Sequence, residues 1–153
     1  MTGCLPMLNP RRRIHTLPPP RGRPEIQRVD ALIIIIDDET TVLLALNVLL
    51  EAWGYRVLAA ESEGEAVDKL SSADEAPQAI VADYRLREGR TGVEAIRRIR
   101  AMVGADVPSI IITGDTSTEG LHEARASGVT VLQKPVLPPH LQAVLARAIH
   151  PGA

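Results

Sequence analysis

The amino-acid sequence predicts an α/β protein: a doubly wound parallel sheet with helices on both faces, in three layers. Three observations predict it. Short apolar runs alternate with helix-period segments five times along the chain. Two of the runs, Ile33–Ile36 and Ile110–Ile112, are apolar without alternation, as strands covered on both faces should be. Four runs end in polar residues of different kinds: Asp37-Asp38-Glu39, Asp83, Thr113 and Lys134. A parallel sheet lines up all its strand C-termini on one edge, where open α/β proteins bind ligands.

Each element has a local reason. The first strand is Ala31–Ile36, and a helix follows over about Thr40–Trp53, closed by Gly54 as its C′ residue. The second strand is Tyr55–Ala59. The second helix starts at Ser62, with Glu65 three residues on in capping-box spacing, and continues to about Ser72. Pro77 lies in the next turn, before the third strand, Ala79–Ala82. A loop over Tyr84–Gly92 with two glycines leads to a third helix, about Val93–Met102. Pro108 precedes the fourth strand, Ser109–Thr113. The fourth helix spans about Thr118–Ser127 and ends at Gly128. The fifth strand is Val131–Gln133. The fifth helix, about Pro139–Ile149, is started by prolines and followed by Pro151-Gly152.

Composition narrows the function classes. The length of 153 residues suits one domain, and 45% apolar with 24% charged residues is ordinary for a soluble one. Trp53, Tyr55 and Tyr84 are its aromatic residues, so stacking on bases is not expected. Residues 1–30 hold six arginines against Glu25 and Asp30, and six of the twelve prolines, and read as a flexible tail or linker. A basic contact arm or a targeting segment is the other reading of that stretch. The domain proper, residues 31–150, is acidic, so neither nucleic acid nor acidic lipid is an expected partner. A single cysteine, Cys4, excludes an intramolecular disulfide and a cysteine-based zinc site. No apolar run approaches the ~20 residues of a membrane span, and residues 1–30 lack the apolar stretch of a secretion signal, so a cytoplasmic location is expected.

The expected pocket has a definite chemistry. Adjacent carboxylates repel, and a hard cation such as Mg²⁺ removes that cost, preferring carboxylate, water and phosphate oxygens. Asp37, Asp38 and Asp83 suit that role, whereas Glu39 reads as charge favoured by a helix N-terminus. A carboxylate can also attack a phosphoryl group. That transfer depends on positioning and on neutralising the equatorial oxygens, for which Thr113 and Lys134 supply a hydroxyl and an ammonium.

Four segments, Ile35-Ile36-Asp37-Asp38-Glu39, Ala82-Asp83-Tyr84-Arg85-Leu86, Ile112-Thr113-Gly114-Asp115 and Gln133-Lys134-Pro135-Val136, resemble the receiver domain of two-component response regulators. The resemblance covers about residues 31–150 and implies a flavodoxin-like (βα)5 fold with strand order 2-1-3-4-5. It implies that Asp83 is the phosphoacceptor, charged from a phosphohistidine. It further implies that Asp38 holds Mg²⁺ directly, Asp37 through water, and the main-chain carbonyl of Arg85 as a third contact. Thr113 matches the switch hydroxyl and Lys134 the phosphate-pairing ammonium, with a cis bond at Lys134–Pro135. Arg85 and Asp115 fall where receivers tune the lifetime of the phosphorylated state.

One position departs from the family. Receivers often carry Tyr or Phe three residues before the lysine; here Val131 stands there. The segment is most like the C-terminal receivers of hybrid sensor histidine kinases, and the domain is expected either to stand alone or to be part of such a kinase. Helical period places Val42, Ala45, Leu46, Leu49 and Trp53 on one face of the first helix, leaving Leu43, Leu44 and Val48 outside it. These three are the expected contact for a sensor histidine kinase or a histidine phosphotransfer protein. The four histidines share no ligand spacing and are expected in solvent, as are Arg97, Arg98 and Arg100 on the third helix. The expected function is a signalling phosphoacceptor rather than an enzyme with turnover. Two rivals are a haloacid-dehalogenase-like phosphatase, for which Asp37-Asp38-Glu39-Thr40 is a partial motif without the late acids, and a pseudo-receiver that binds without being phosphorylated.

Overall fold

The computed structural model describes Gly3, residues 30–114 and residues 119–150. The readings made for the rest of residues 1–30, including Cys4 and His15, and for Asp115, Thr118 and Pro151-Gly152, lie outside the described residues. Five strands, β1 (Leu32–Ile36), β2 (Arg56–Ala60), β3 (Ala79–Asp83), β4 (Ser109–Thr113) and β5 (Thr130–Gln133), form one sheet. Five helices follow them in alternation: α1 (Thr40–Ala52), α2 (Glu63–Ser71), α3 (Gly92–Val103), α4 (Glu119–Ala126) and α5 (Pro138–Ile149). All strand pairs are parallel, in the order β2-β1-β3-β4-β5. The order and the layering are those the sequence implied, with element ends within a residue or two.

β1 shows why the sheet is internal. All five of its residues are buried, and successive side chains go to opposite layers. Ile34 and Ile36 pack with Ala66 and Leu70 of α2, Ile96 and Ile99 of α3, and Leu121 of α4. Ile33 and Ile35 pack with Leu43 and Leu50 of α1 and Leu141 and Leu145 of α5. Each fully buried isoleucine contributes roughly 1.5–3 kcal/mol. One strand therefore fastens both helical layers.

The helix ends follow local chemistry. The Ser62 hydroxyl accepts the Glu65 N–H at 3.1 Å, and the Glu65 carboxylate accepts from Glu61 N–H at 2.9 Å, one residue earlier than a strict capping box. Thr91 caps α3 by accepting the Glu94 N–H at 3.2 Å. Gly54 (φ 94°) turns the chain out of α1 in a conformation that a side chain would strain. Among the described residues, no helix is long and apolar enough to cross a membrane.

The expected face of α1 is corrected. Leu43 is buried (7% exposed), together with Leu50, and Leu46 and Trp53 pack against the same cluster, whereas Ala45 is exposed. α1 carries aliphatic residues all round, so two stripes of helical period compete. The stripe through Leu43 and Leu50 is the one that meets β1. Leu44 and Val48 remain outside, 60% and 66% exposed.

Of the arginines of α3, Arg97 and Arg98 are exposed as expected and Arg100 is partly buried, and all three also have partners. Arg98 pairs with Glu63 at 3.4 Å and Arg97 with Glu123 at 3.0 Å. Arg100 donates to the carbonyls of Val107 (3.0 Å) and Ser127 (3.4 Å). The described histidines, His122, His140 and His150, are exposed.

Candidate functional site

β1 and β3 are neighbours in the sheet, which sets Asp37 and Asp38 beside Asp83 on the C-terminal edge. One carboxylate oxygen from each of the three lies within 4.8 Å of the others. Asp37 is buried at 4% exposure, and Asp38 and Asp83 are half-buried. From the other side, β4 and β5 bring Thr113 and Lys134. Thr113 ends β4 and is buried, and its carbonyl accepts the Lys134 N–H at 2.8 Å. Lys134 Nζ stands 3.4 Å from both oxygens of Asp83. Asp38, Asp83, Arg85, Thr113 and Lys134 line one open pocket. Asp37, Asp38, Asp83, Arg85, Thr113 and Lys134 are thus together, and the Lys134–Pro135 peptide bond is cis.

Electrostatics single out the buried acid. Burial pushes the Asp37 carboxyl up to about 6, helped by the neighbouring charges of Asp83 and Asp38. The Glu39 N–H, donating to Asp37 Oδ1 at 2.9 Å, and the Lys134 charge work the other way. Burial also raises Asp83, against the opposing pull of Lys134. Among the described residues Lys134, 43% exposed, is the cation that opposes burial at both Asp37 and Asp83, one charge against three carboxylates. Three clustered oxygen donors with uncompensated charge are a fit donor set for a hard divalent cation.

Sequence reading missed several residues around this rim. Gly92 is one: a Cβ there would collide with the Asp83 carbonyl oxygen and touch Ile111 Cδ1 at 3.0 Å and Ala82 Cβ at 3.1 Å. The Gly92 N–H donates to Tyr84 O at 2.8 Å, so this glycine seats α3 directly on the end of β3. Arg87 is another, donating to the Asp38 carbonyl at 3.0 Å. A glycine opening a helix just after an acid-tipped strand is the signal that would have found the first; nothing local announces the second.

An apolar groove flanks the acids. Val42 and Leu46 of α1 face Pro135 and Val136 across it, with Lys134 at its edge. Leu137, beyond the cis bond, is 67% exposed.

The receiver domain model of response regulators matches residues 33–146. The chain is 31% identical over 118 residues to the phyllosphere-induced regulator PhyR of Methylorubrum extorquens, covering 76% of this chain and 43% of PhyR. It is 32% identical over 108 residues to protein PilH of Pseudomonas aeruginosa, covering 69% of this chain and 87% of PilH. The crystal structure of the chemotaxis protein CheY4 of Vibrio cholerae superposes with a TM-score of 0.69 at 28% identity, over 78% of this chain and 98% of that one. The chain thus spans less than half the length of PhyR.

Proposed function

The chain belongs to the response regulator receiver domain family, and from that premise we propose that Asp83 is its phosphoacceptor. The observation that carries the reading is the meeting of Asp37, Asp38 and Asp83 within 4.8 Å, with Lys134 Nζ at 3.4 Å from Asp83. An Asp83 oxygen attacks the phosphorus of a phosphohistidine; a P–O bond forms, the P–N bond breaks, and the imidazole leaves. Asp37, Asp38, Asp83 and the main-chain carbonyl of Arg85 would hold Mg²⁺, which would supply charge neutralisation at the phosphoryl oxygens. Lys134, released from Asp83 when that charge is esterified, pairs with the phosphoryl group, and Thr113 donates its hydroxyl to it. The protein modifies itself and turns over no external substrate.

Acetyl phosphate with Mg²⁺, followed by intact mass, tests this. One phosphoryl group is expected on the wild type and none on Asp83→Asn. An unmodified wild type would identify a pseudo-receiver, and turnover of phosphate esters would identify a phosphatase.

The donor is a sensor histidine kinase or a histidine phosphotransfer protein. Exposed Leu44 and Val48 of α1 are the contact for the helix that carries such a histidine, and the apolar groove beside Lys134, on another side of α1, offers it a second apolar surface. Leu43 is withdrawn from that surface because it is buried. Leu44→Glu is expected to stay folded and to slow transfer from the kinase about tenfold or more, as a charge in an apolar contact does, while leaving acetyl phosphate labelling unchanged. An unaltered kinase rate would move the contact elsewhere. Val131 in place of an aromatic favours a receiver of the hybrid-kinase kind, in which phosphorylation changes little across α4, β5 and α5. Large phosphorylation-dependent NMR shifts throughout that face would count against it.

A further inference from the structure

The loop between β3 and α3 is a small hairpin. Arg85 and Thr91 form an antiparallel bridge, Leu86 N–H donates to Arg90 O at 3.0 Å, and Gly92 N–H donates to Tyr84 O at 2.8 Å. Its tip turns through Glu88 (φ 62°) and Gly89 (φ 69°). The hairpin's base is continuous with Asp83, and it carries Arg85. Something outside the hairpin must hold it, because most of its residues from Arg85 to Arg90 are exposed and only Leu86 is buried.

That something is a carboxylate in an unusual setting. Glu63, in the first turn of α2, is 6% exposed. Its Oε2 meets Arg90 of the hairpin at 2.7 Å, and its Oε1 meets Arg98 of α3 at 3.4 Å. Favourable charge at a helix N-terminus explains a glutamate here but not its burial. A buried carboxylate is retained only with partners that replace water, and both partners come from other elements. Arg87, donating to the Asp38 carbonyl at 3.0 Å, ties the same hairpin to the acidic pair on its other side.

We propose that Glu63 is a positioning residue for the phosphorylation site: through Arg90 it holds the β3–α3 hairpin, and with it Arg85, in register with Asp38 and Asp83. The proposal rests on the phosphoacceptor reading above. It adds a residue 20 positions before Asp83 that touches none of the reacting groups.

Native-state hydrogen exchange on the metal-free protein tests the clamp without calling on phosphorylation. In Glu63→Gln and in Arg90→Gln, protection of the Leu86 and Gly92 amides is expected to fall about tenfold beyond any change in the β1 amides, the mark of local rather than global opening. Arg98→Gln, which keeps the Glu63–Arg90 link, should leave that ratio near the wild-type value. In Glu63→Gln and Arg90→Gln the half-saturating Mg²⁺ for acetyl phosphate labelling is expected to rise about tenfold, the low end for groups that orient ligands, with the rate at saturating Mg²⁺ kept within about twofold. Arg90 is half exposed and glutamine keeps a donor for Glu63, while Glu63→Gln leaves no buried charge, so the two variants test the clamp from both sides. Protection at Leu86 and Gly92 that merely follows β1 in Arg90→Gln, or an equal loss in Arg98→Gln, overturns the proposal. A wild type that takes no phosphoryl group would sink the phosphoacceptor reading while leaving the exchange result to stand or fall alone.

Discussion

Two buried carboxylates sit at the same edge of this sheet, and their surroundings are opposite. Asp37 (4% exposed) has Asp38 and Asp83 for neighbours, with one shared lysine beyond them. Glu63 (6% exposed) has a guanidinium at each oxygen. Desolvation acts on both. Glu63 carries its counter-charge in the sequence; Asp37, on the function proposed above, takes its counter-charge from a cation in solution. Burial alone therefore says little about what an acid does. The signs of the charges facing it separate a ligand site from a structural clamp.

The largest expected contrast follows. Asp37→Asn removes repulsion, so the metal-free protein should become more stable, while labelling by acetyl phosphate at limiting Mg²⁺ should fall about 100-fold, the upper range for groups that support a metal site. Glu63→Ala should do the reverse. Stability should fall by about 1–3 kcal/mol, the worth of hydrogen bonds to charged groups, and labelling at saturating Mg²⁺ should persist. Urea denaturation beside labelling rates measures both. If both variants lose stability alike, the distinction between the two acids disappears.

The contrast also explains how much could be read from the sequence. Asp37 and Asp38, Asp83 and Thr113 stand at the ends of apolar runs, and Lys134 follows the shorter Val131-Leu132-Gln133, so strand direction alone delivers them to a common edge. Their convergence needs only a parallel sheet. Glu63 follows no such rule. Read locally, it is one of several acids at the start of α2, and Arg98 is one of several arginines on α3. Their pairing depends on how far apart α2 and α3 settle, which local pattern does not carry. The same limit misassigned Leu43: α1 offers more than one apolar stripe, and the packing of β1 chooses between them.

Gly92 seats α3 against the end of β3, and a methyl group there should disturb the acidic site. In Gly92→Ala the new Cβ collides with the Asp83 carbonyl oxygen and crowds the side chains of Ala82 and Ile111. Backbone has to move, at an expected cost of about 1–3 kcal/mol for overpacking. Because the displaced carbonyl belongs to Asp83 itself, labelling should fall even in the population that remains folded. Thermal melting together with labelling of the folded fraction checks this. A stable, fully active Gly92→Ala would show that α3 is not seated where the geometry sets it.

The smallest effect is the pH dependence, and its sign discriminates best. The Asp37 carboxyl is raised from 3.8 to about 6, chiefly by burial. A raised carboxyl binds its proton more tightly in the folded state, so between these values stability falls as pH rises, and the full penalty is present above about 6. Lowering the pH from 7.5 to 5 without metal should therefore narrow the stability advantage of Asp37→Asn over wild type. Glu65 and Glu75, both lowered, by hydrogen bonds to the Glu61 N–H and to Arg56 respectively, pull in the opposite direction. Both chains carry them, so they cancel in the difference. Magnesium has to displace the Asp37 proton, so half-saturating Mg²⁺ should rise by up to about tenfold per pH unit below 6 for each proton released. Asp83, raised in the same direction, can steepen that slope but not reverse it. A flat magnesium requirement between pH 7 and 5 would mean that Asp37 is already ionised, and that its charge is met from within the protein as that of Glu63 is.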